Sequence, residues 1–191
     1  MLKTVTAALL VLGFLSAPAA AQSIEYVYTT FDSKKCKHTP GKEEEDYGSW
    51  LCPGYKNLAV RLSAGDQRMY VTFGPRTKDN IADGETFPGF NSVYEGTVEW
   101  RIEKSADGKS RPFATILRWN VMTAEDQEKA TGPVKSSGRV LVVTRLGPGG
   151  VCHVGYVDAR NTPDANAVAR KIADEKARTF KCGKDKAEYG G

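Results

Sequence analysis

The residues with the clearest chemical potential in this sequence are its four cysteines, at positions Cys36, Cys52, Cys152 and Cys182. Such a set can form disulfides, hold a metal ion or supply a nucleophilic thiol. An even number of cysteines in an exported chain favours disulfides, and the first residues of this chain indicate export. Four cysteines allow three pairings. We expect nearest neighbours to pair, Cys36 with Cys52 and Cys152 with Cys182, but the sequence leaves the other pairings open.

A metal site or a catalytic thiol would be the alternative use of these cysteines. The two histidines lie beside them, in a C-K-H triplet at 36–38 and a C-H pair at 152–153. Neither arrangement has the ligand spacing of common zinc sites, and adjacent residues on a strand point to opposite faces. We therefore expect no metal and no cofactor. We interpret Cys52 and the following Pro53-Gly54 as a disulfide-anchored turn that closes the acidic segment 37–51 as a loop.

Known catalytic motifs are not found in the sequence. It has no G-x-S-x-G elbow, no H-E-x-x-H, no phosphate-binding P-loop and no dinucleotide-binding glycine pattern. The remaining polar candidates are His38, His153 and Asp66, and spacing alone does not pair an acid with a base among them. We predict no catalytic residue, and an enzyme with an unrecognised site stays open as an alternative.

One long connection, 75–96, could form a binding surface. It carries two prolines, three glycines and the aromatic residues Phe87, Phe90 and Tyr94. A connection of this length is uncommon without a functional role or disorder, and aromatic side chains on a loop can anchor a partner. The alternative is a flap whose rings cover an open end of the sheet.

The N-terminal residues have the three parts of a signal peptide. Lys3 supplies the positive charge, an apolar run follows at 7–15, and small residues at 19–21 precede a predicted cut after Ala21. We expect residues 1–21 to be the signal and residues 22–191 to form one periplasmic or secreted domain with a flexible tail at 184–191. No later segment is apolar enough to span a membrane. With 27 basic and 23 acidic residues intermixed, the chain lacks the basic stripe of a nucleic-acid binder.

Alternating hydrophobic and polar residues predict strands in most of the remaining chain. Outward charges on these strands indicate an antiparallel sheet with one face in water; for example, Glu99, Arg101 and Glu103 alternate with inward Val98, Trp100 and Ile102. The predicted strands are 24–31, 58–63, 69–74, 97–104, 113–121, 138–146 and 151–159.

Two helices are predicted as well. A short helix at 123–130 begins with a capping box from Thr123 to Asp126 and stops at Gly132-Pro133. A longer helix begins at Thr162-Pro163 and ends near Cys182, with an apolar face that would pack on the sheet. The fold class is therefore α+β, mainly β: an antiparallel sheet of about seven strands with a C-terminal helix on it and two disulfides.

Several stretches together carry a resemblance to a group of proteins. They are C…CPGY at 36–55, GDQR at 65–68, FG at 73–74, WN at 119–120 and the strands at 138–146 and 151–159. With them the chain resembles small exported proteins of alphaproteobacteria that have no assigned activity, over most of its length after the signal. The resemblance implies a periplasmic or secreted setting and no particular chemistry.

A second resemblance is to periplasmic lysozyme inhibitors, which are small disulfide-tied β proteins that use a Ser-Gly loop. Ser137, Gly138 and Arg139, just ahead of a strand, resemble that loop in the first two residues. The hypothesis that follows from the whole sequence is an envelope binding module for a protein or glycan, through the 75–96 aromatics. An inhibitor of a wall-degrading enzyme, through residues 137–139, is the alternative.

Overall fold

The computed structural model describes residues 23–42, 46–129 and 136–190. The strands in these ranges are β1 (Ser23–Asp32), β2 (Lys37–Thr39), β3 (Asp46–Tyr55), β4 (Leu58–Gly65), β5 (Arg68–Phe73), β6 (Asn91–Ser92), β7 (Glu95–Lys104), β8 (Ser110–Val121), β9 (Gly138–Arg145), β10 (Cys152–Asp158) and β11 (Glu188–Gly190). The helices are α1 (Ala124–Glu128) and α2 (Ala165–Lys176). The predicted signal, its cut and the helix stop at 132–133 lie outside the described residues.

The strands form two sheets. The larger has seven strands in the order β1-β7-β8-β9-β10-β11, with β6 also paired to β8, and the smaller has the order β2-β3-β4-β5. All pairs are antiparallel except β10 with β11. The mainly β fold with a seven-stranded sheet is confirmed. All seven predicted strands are present, but the two at 58–63 and 69–74 belong to the second sheet.

The main core lies between the two sheets. Trp100 and Trp119 from the large sheet and Phe73 from the small one are almost completely buried there. The rings of Phe73 and Trp100 meet edge to face with their centroids 5.5 Å apart. Val98, Trp100 and Ile102 all point into this core, as their alternation predicts, because residues two apart on a strand share a face.

The other face of the large sheet is covered by α2. Ala169, Ile172 and Ala173 of the helix pack on Leu141, Val143 and other buried residues of β8 to β10. The predicted packing of a C-terminal helix on the sheet is confirmed. The Cys152–Cys182 disulfide joins β10 to the chain that follows this helix.

This helix overturns the prediction that the outer face of β7 lies in water. Glu99 and Arg101 are each only 6% exposed. Arg101 donates hydrogen bonds to Glu99 at 2.9 Å and to both carboxylate oxygens of Asp174, and Arg170 donates to Glu99 at 2.8 Å. Burial alone would raise the pKa of Glu99, but hydrogen bonds and charge from Arg170, with Tyr28 and Arg101, outweigh it and lower that pKa. These hydrogen-bonded ion pairs therefore join β7 of the large sheet to α2.

The segment around Cys52 also differs from its prediction. Residues 46–55 form β3, so 37–51 is mostly strand and Pro53-Gly54 is not the turn. The turn follows the end of β3 and falls at residues 56–57, where Lys56 has a φ of +52°. Gly54 is required for space, since a Cβ there would lie 2.1 Å from the carbonyl oxygen of Leu58. Both predicted disulfides, 36–52 and 152–182, are confirmed.

The helix ends follow their predictions in part. The capping box from Thr123 to Asp126 is present at α1. At α2 the cap is Asp164, with φ of +51°, rather than Thr162, and the helix ends at Lys176. The predicted flexible tail contains β11, which pairs with β10 over 188–190. In the part of the chain that the structure describes, no helix has the length and apolar character needed to cross a bilayer.

Candidate binding surface

Three aromatic side chains form a continuous row, which we call the aromatic row: His38 and Trp50 on the small sheet and Tyr94 beside it. His38 on β2 lies directly opposite Trp50 on β3. Their rings stack with centroids 4.7 Å apart and planes 20° apart. The ring of Tyr94, which precedes β7, meets Trp50 edge-on at 6.0 Å. Cross-strand aromatic neighbours stabilise one another, so the row is a defined surface and not a set of independent side chains.

The backbone around the aromatic row is held in place by a disulfide and by hydrogen bonds. The Cys36–Cys52 disulfide links the residue before β2 to β3. Nε2 of His38 donates to the carbonyl oxygen of Tyr47 at 3.2 Å. The carbonyl of Tyr94 accepts the N–H of Ser33 at 2.7 Å. A surface that is held in place before binding loses less conformational entropy when a ligand arrives.

A hollow lies on each side of Tyr94, which is itself 48% exposed. The first hollow has a volume of about 550 Å³ and is lined by Asp32, Lys34, Trp50, Tyr94, Glu95 and Asn120, among others. The second has a volume of about 300 Å³ and is lined by Tyr47, Gln67, Arg68, Phe90, Tyr94 and Ser136, among others. Each hollow therefore combines aromatic surface with hydrogen-bond donors and acceptors, which is the composition of a polar-ligand site.

The structure separates the three aromatic residues that the sequence grouped. Phe90 and Tyr94 share the second hollow. Phe87 instead packs against the main core, with its ring 5.5 Å from Trp119 and 5.3 Å from Tyr156. For Phe87 the alternative interpretation, a ring that covers the interior, is the better description.

The 75–96 connection is built of short, hydrogen-bonded pieces. Asn80 Nδ2 donates to the carbonyl of Pro75, and Thr86 Oγ1 donates to the carbonyl of Met69 at 2.8 Å. Asn91, at 5% exposure, accepts the N–H of Met69 and donates to Thr86. These side chains satisfy backbone groups that a long connection would otherwise leave unpaired, and they fix Phe90 and Tyr94 next to β5.

The residues that resemble an inhibitor loop have internal roles. The N–H and the hydroxyl of Ser137 both donate to the carboxylate of Asp126, each at 2.9 Å. Nη1 of Arg139 donates to the carbonyls of Ser136 and Gly138. Gly138 is buried, and a Cβ there would lie 2.8 Å from Val121. Hydrogen bonds from the backbone N–H groups of Thr123 and Ser137 lower the pKa of Asp126.

The polar residues considered as catalytic candidates lie in separate places. His38 belongs to the aromatic row, and Asp66 forms an exposed ion pair with Arg68 at 3.1 Å. His153 is 1% exposed. No hydrogen bond or ion pair joins the three within the described ranges, and no group of three or more His, Cys, Asp or Glu side chains there is arranged to hold a metal ion.

His153 belongs to a buried polar cluster. Its backbone N–H donates to Oε2 of Glu85 at 2.6 Å, its ring Nδ1 lies 3.1 Å from the Tyr156 hydroxyl, and its ring meets Trp119 edge-on. Burial lowers the pKa of His153 to about 4 and raises the pKa of Glu85. Burial, with the charge of Glu85, also raises the pKa of Tyr156. The hydrogen bond from His153 to Glu85 joins β10 to the 75–96 connection.

Sequence reasoning missed Trp50, Tyr47 and the role of His38 in the row. The reason is that the sequence predicts a loop at 37–51, and a loop prediction does not indicate which way each side chain points. One signal was available: Trp50 and Cys52 are two residues apart, as on one face of a strand. No protein-family model, curated protein or solved structure matches this chain.

Proposed function

We propose that this protein is an exported binding module that holds a glycan on the aromatic row. The single observation that carries the proposal is the stacked row of His38, Trp50 and Tyr94, flanked by two polar hollows. The two disulfides are consistent with a location outside the cytoplasm. A periplasmic or secreted setting, as the resemblance and the signal-like N-terminus imply, would place the surface beside cell-envelope polysaccharides.

The chemistry of the row favours a sugar over an apolar ligand. A sugar ring has a face of C–H groups, which packs on an aromatic ring, and an edge of hydroxyls, which needs hydrogen-bond partners. Tyr94 offers exposed aromatic surface, and side chains such as Asp32, Asn120 and Arg68 around it supply both acceptors and donors. Rigid aromatic side chains also lose little entropy on binding.

The test uses a pair of matched substitutions. Tyr94→Ala removes an exposed ring of the row, and Tyr26→Ala removes a ring of similar exposure, 57%, on β1, where it lies near Arg101 and Arg170. Calorimetric titration with N-acetylated chito-oligosaccharides and with soluble peptidoglycan glycan strands measures affinity. We expect Tyr94→Ala to weaken binding by about tenfold or more and Tyr26→Ala to leave it unchanged.

Two results would refute this proposal. One is the absence of saturable binding by either glycan to the wild-type protein. The other is an equal loss of affinity in both variants, since that would assign the effect to aromatic surface in general. Urea unfolding of each variant checks that both remain folded.

The inhibitor hypothesis receives no support from the geometry of Ser137, because both of its polar groups are bonded to Asp126. Its direct test is the rate of peptidoglycan lysis by lysozymes at near-stoichiometric amounts of this protein. Slowed lysis that Ser137→Ala abolishes would favour inhibition over simple glycan binding.

A further inference from the structure

A groove at the other end of the small sheet is unrelated to the aromatic row. It has a volume of about 480 Å³ and lies between the turn at 56–57, the segment 73–80 and the loop 146–151. Its apolar wall includes Tyr55, Leu58, Phe73, Pro112, Leu146 and Val151. Leu58 begins β4, whereas the second hollow lies at the far end of the same strand, about 20 Å away. The volume is within the range of small-molecule sites, roughly 300–1,000 Å³.

The ionisable groups that line the groove have a net positive charge. They are Lys56, Arg111 and Asp79, so that two cations face one carboxylate. Arg111 is only partly neutralised, because its partner Glu103, at 2.8 Å, is shared with Arg178 at 3.7 Å. The three lining groups sum to +1, and Glu103 offsets part of the charge of Arg111 from outside the groove, so the groove favours a ligand with no more than a single negative charge.

A buried cation behind the wall of the groove adds to this field. Arg145 is 8% exposed and donates hydrogen bonds to the carbonyls of Pro148, Gly149 and Ala177. Among the described residues it forms no ion pair with a carboxylate. The first two carbonyls belong to the loop that lines the groove, so Arg145 both shapes this wall and leaves its positive charge uncompensated behind it.

Arg111 at the rim and Arg145 behind the wall also influence each other. Burial, followed by the charge of Arg111, lowers the pKa of Arg145. An anion in the groove close to Arg111 would therefore also be attracted by Arg145 behind the wall, and the low polarity of the wall would strengthen the attraction. The groove therefore combines an apolar wall with the cationic side chains of Lys56 and Arg111, which is the composition expected of a site for an amphipathic anion.

We propose that this groove binds a long-chain fatty acid, with its alkyl chain on the apolar wall and its carboxylate facing Lys56 and Arg111. The wall matches the alkyl chain, since burial of apolar surface is favourable in proportion to its area. The single negative charge of a carboxylate suits the small positive charge of the groups that line the groove better than the double charge of a phosphate monoester does. This site is independent of the proposed glycan surface.

The experiment is a fluorescence titration of the whole protein with cis-parinaric acid, and in parallel with its methyl ester. Lys56→Glu reverses the charge at the rim, and Lys171→Glu makes the same change on the exposed face of α2, which does not line the groove. We expect saturable binding of the acid, about tenfold weaker in Lys56→Glu and unchanged in Lys171→Glu. The uncharged ester should bind more weakly than the acid, and its affinity should not change in Lys56→Glu.

Several outcomes would overturn the assignment. They are no saturable binding of the acid, an equal loss in the two lysine variants, or equal affinity for acid and ester in the wild type. Tyr94→Ala provides a further check, because it removes a ring of the aromatic row but should leave parinarate binding intact. A loss of parinarate binding in Tyr94→Ala would also contradict a separate site in the groove.

Discussion

Mild acid should destabilise this protein through one buried histidine. The ring of His153 is held neutral between Trp119 and Tyr156, and burial lowers its pKa from 6.5 to about 4. The unfolded chain takes up a proton below about pH 6.5, whereas the folded protein does so only near pH 4. The unfolded state therefore binds more protons in this interval, and the free energy of unfolding falls as the pH drops from 6.5 to 4.

The size of the effect follows from these two pKa values. A difference of one pKa unit between the folded and unfolded states corresponds to about 1.4 kcal/mol. The free energy of unfolding should therefore fall by about 3 kcal/mol by pH 4. Between pH 7 and pH 5 the expected loss is about 2 kcal/mol. This is a large fraction of the stability of an ordinary domain, about 5–15 kcal/mol.

Glu85 acts in the opposite direction. Burial raises its pKa, so the folded protein takes up this proton at a higher pH than the unfolded chain, and that uptake adds stability as the pH falls. Its Oε2 lies 3.8 Å from Nδ1 of His153. We therefore expect Glu85→Gln to make the acid-induced loss of stability steeper than in the wild type.

The assay is urea unfolding at pH 7 and at pH 5, followed by tryptophan fluorescence. His153→Gln should lower stability at both pH values but abolish most of the difference between them, and comparison within one variant cancels the change in packing. The control is His38→Gln at an exposed histidine, which should keep the wild-type difference. If His153→Gln loses as much stability between pH 7 and pH 5 as the wild type does, His153 is not the source of the acid sensitivity.

Three further predictions concern buried charge and disulfides. Glu99→Gln should lower the free energy of unfolding by about 3 kcal/mol, because Arg101 and Arg170 lose a buried partner; a loss below about 1 kcal/mol in urea unfolding would mean that the network behaves as a surface pair. Replacing either cysteine pair by serine should cost about 3 kcal/mol for the 16-residue separation of 36–52 and about 4 kcal/mol for the 30-residue separation of 152–182, measured as shifts of the urea midpoint. Loss of the 36–52 bond alone should also weaken glycan binding, since it ties β2 to β3 under the aromatic row; equal weakening by both pairs would contradict this.

Local features of the fold could be predicted because they depend on residues close in the chain. The capping box from Thr123 to Asp126 spans three residues, and both disulfides join nearest neighbours among the cysteines. The inward facing of Val98 and Trp100 follows from the two-residue period of a strand. Each of these features requires no knowledge of which element lies beside it.

The candidate site could be predicted only in part, because its members come from distant segments. His38, Trp50 and Tyr94 meet through the pairing of β2 with β3 and through the position of the 75–96 connection. Tyr94 and Phe90 were expected at a surface from their place in that connection. Phe87, three residues before Phe90, packs against the core instead, and no property of its own segment distinguishes the two rings.

The sequence by itself determined the mainly β class, the seven strands that it predicts and the alternation of residues along them, and it favoured one cysteine pairing without excluding the others. The tertiary structure alone decided how the strands divide into two sheets and what covers each face. Periodicity assigns Glu99 and Arg101 to one side of β7, but only the placement of α2 turns that side into a buried ionic interface. The physical reason is that alternation is a property of a single strand, whereas burial depends on a partner surface supplied by residues more than seventy positions away.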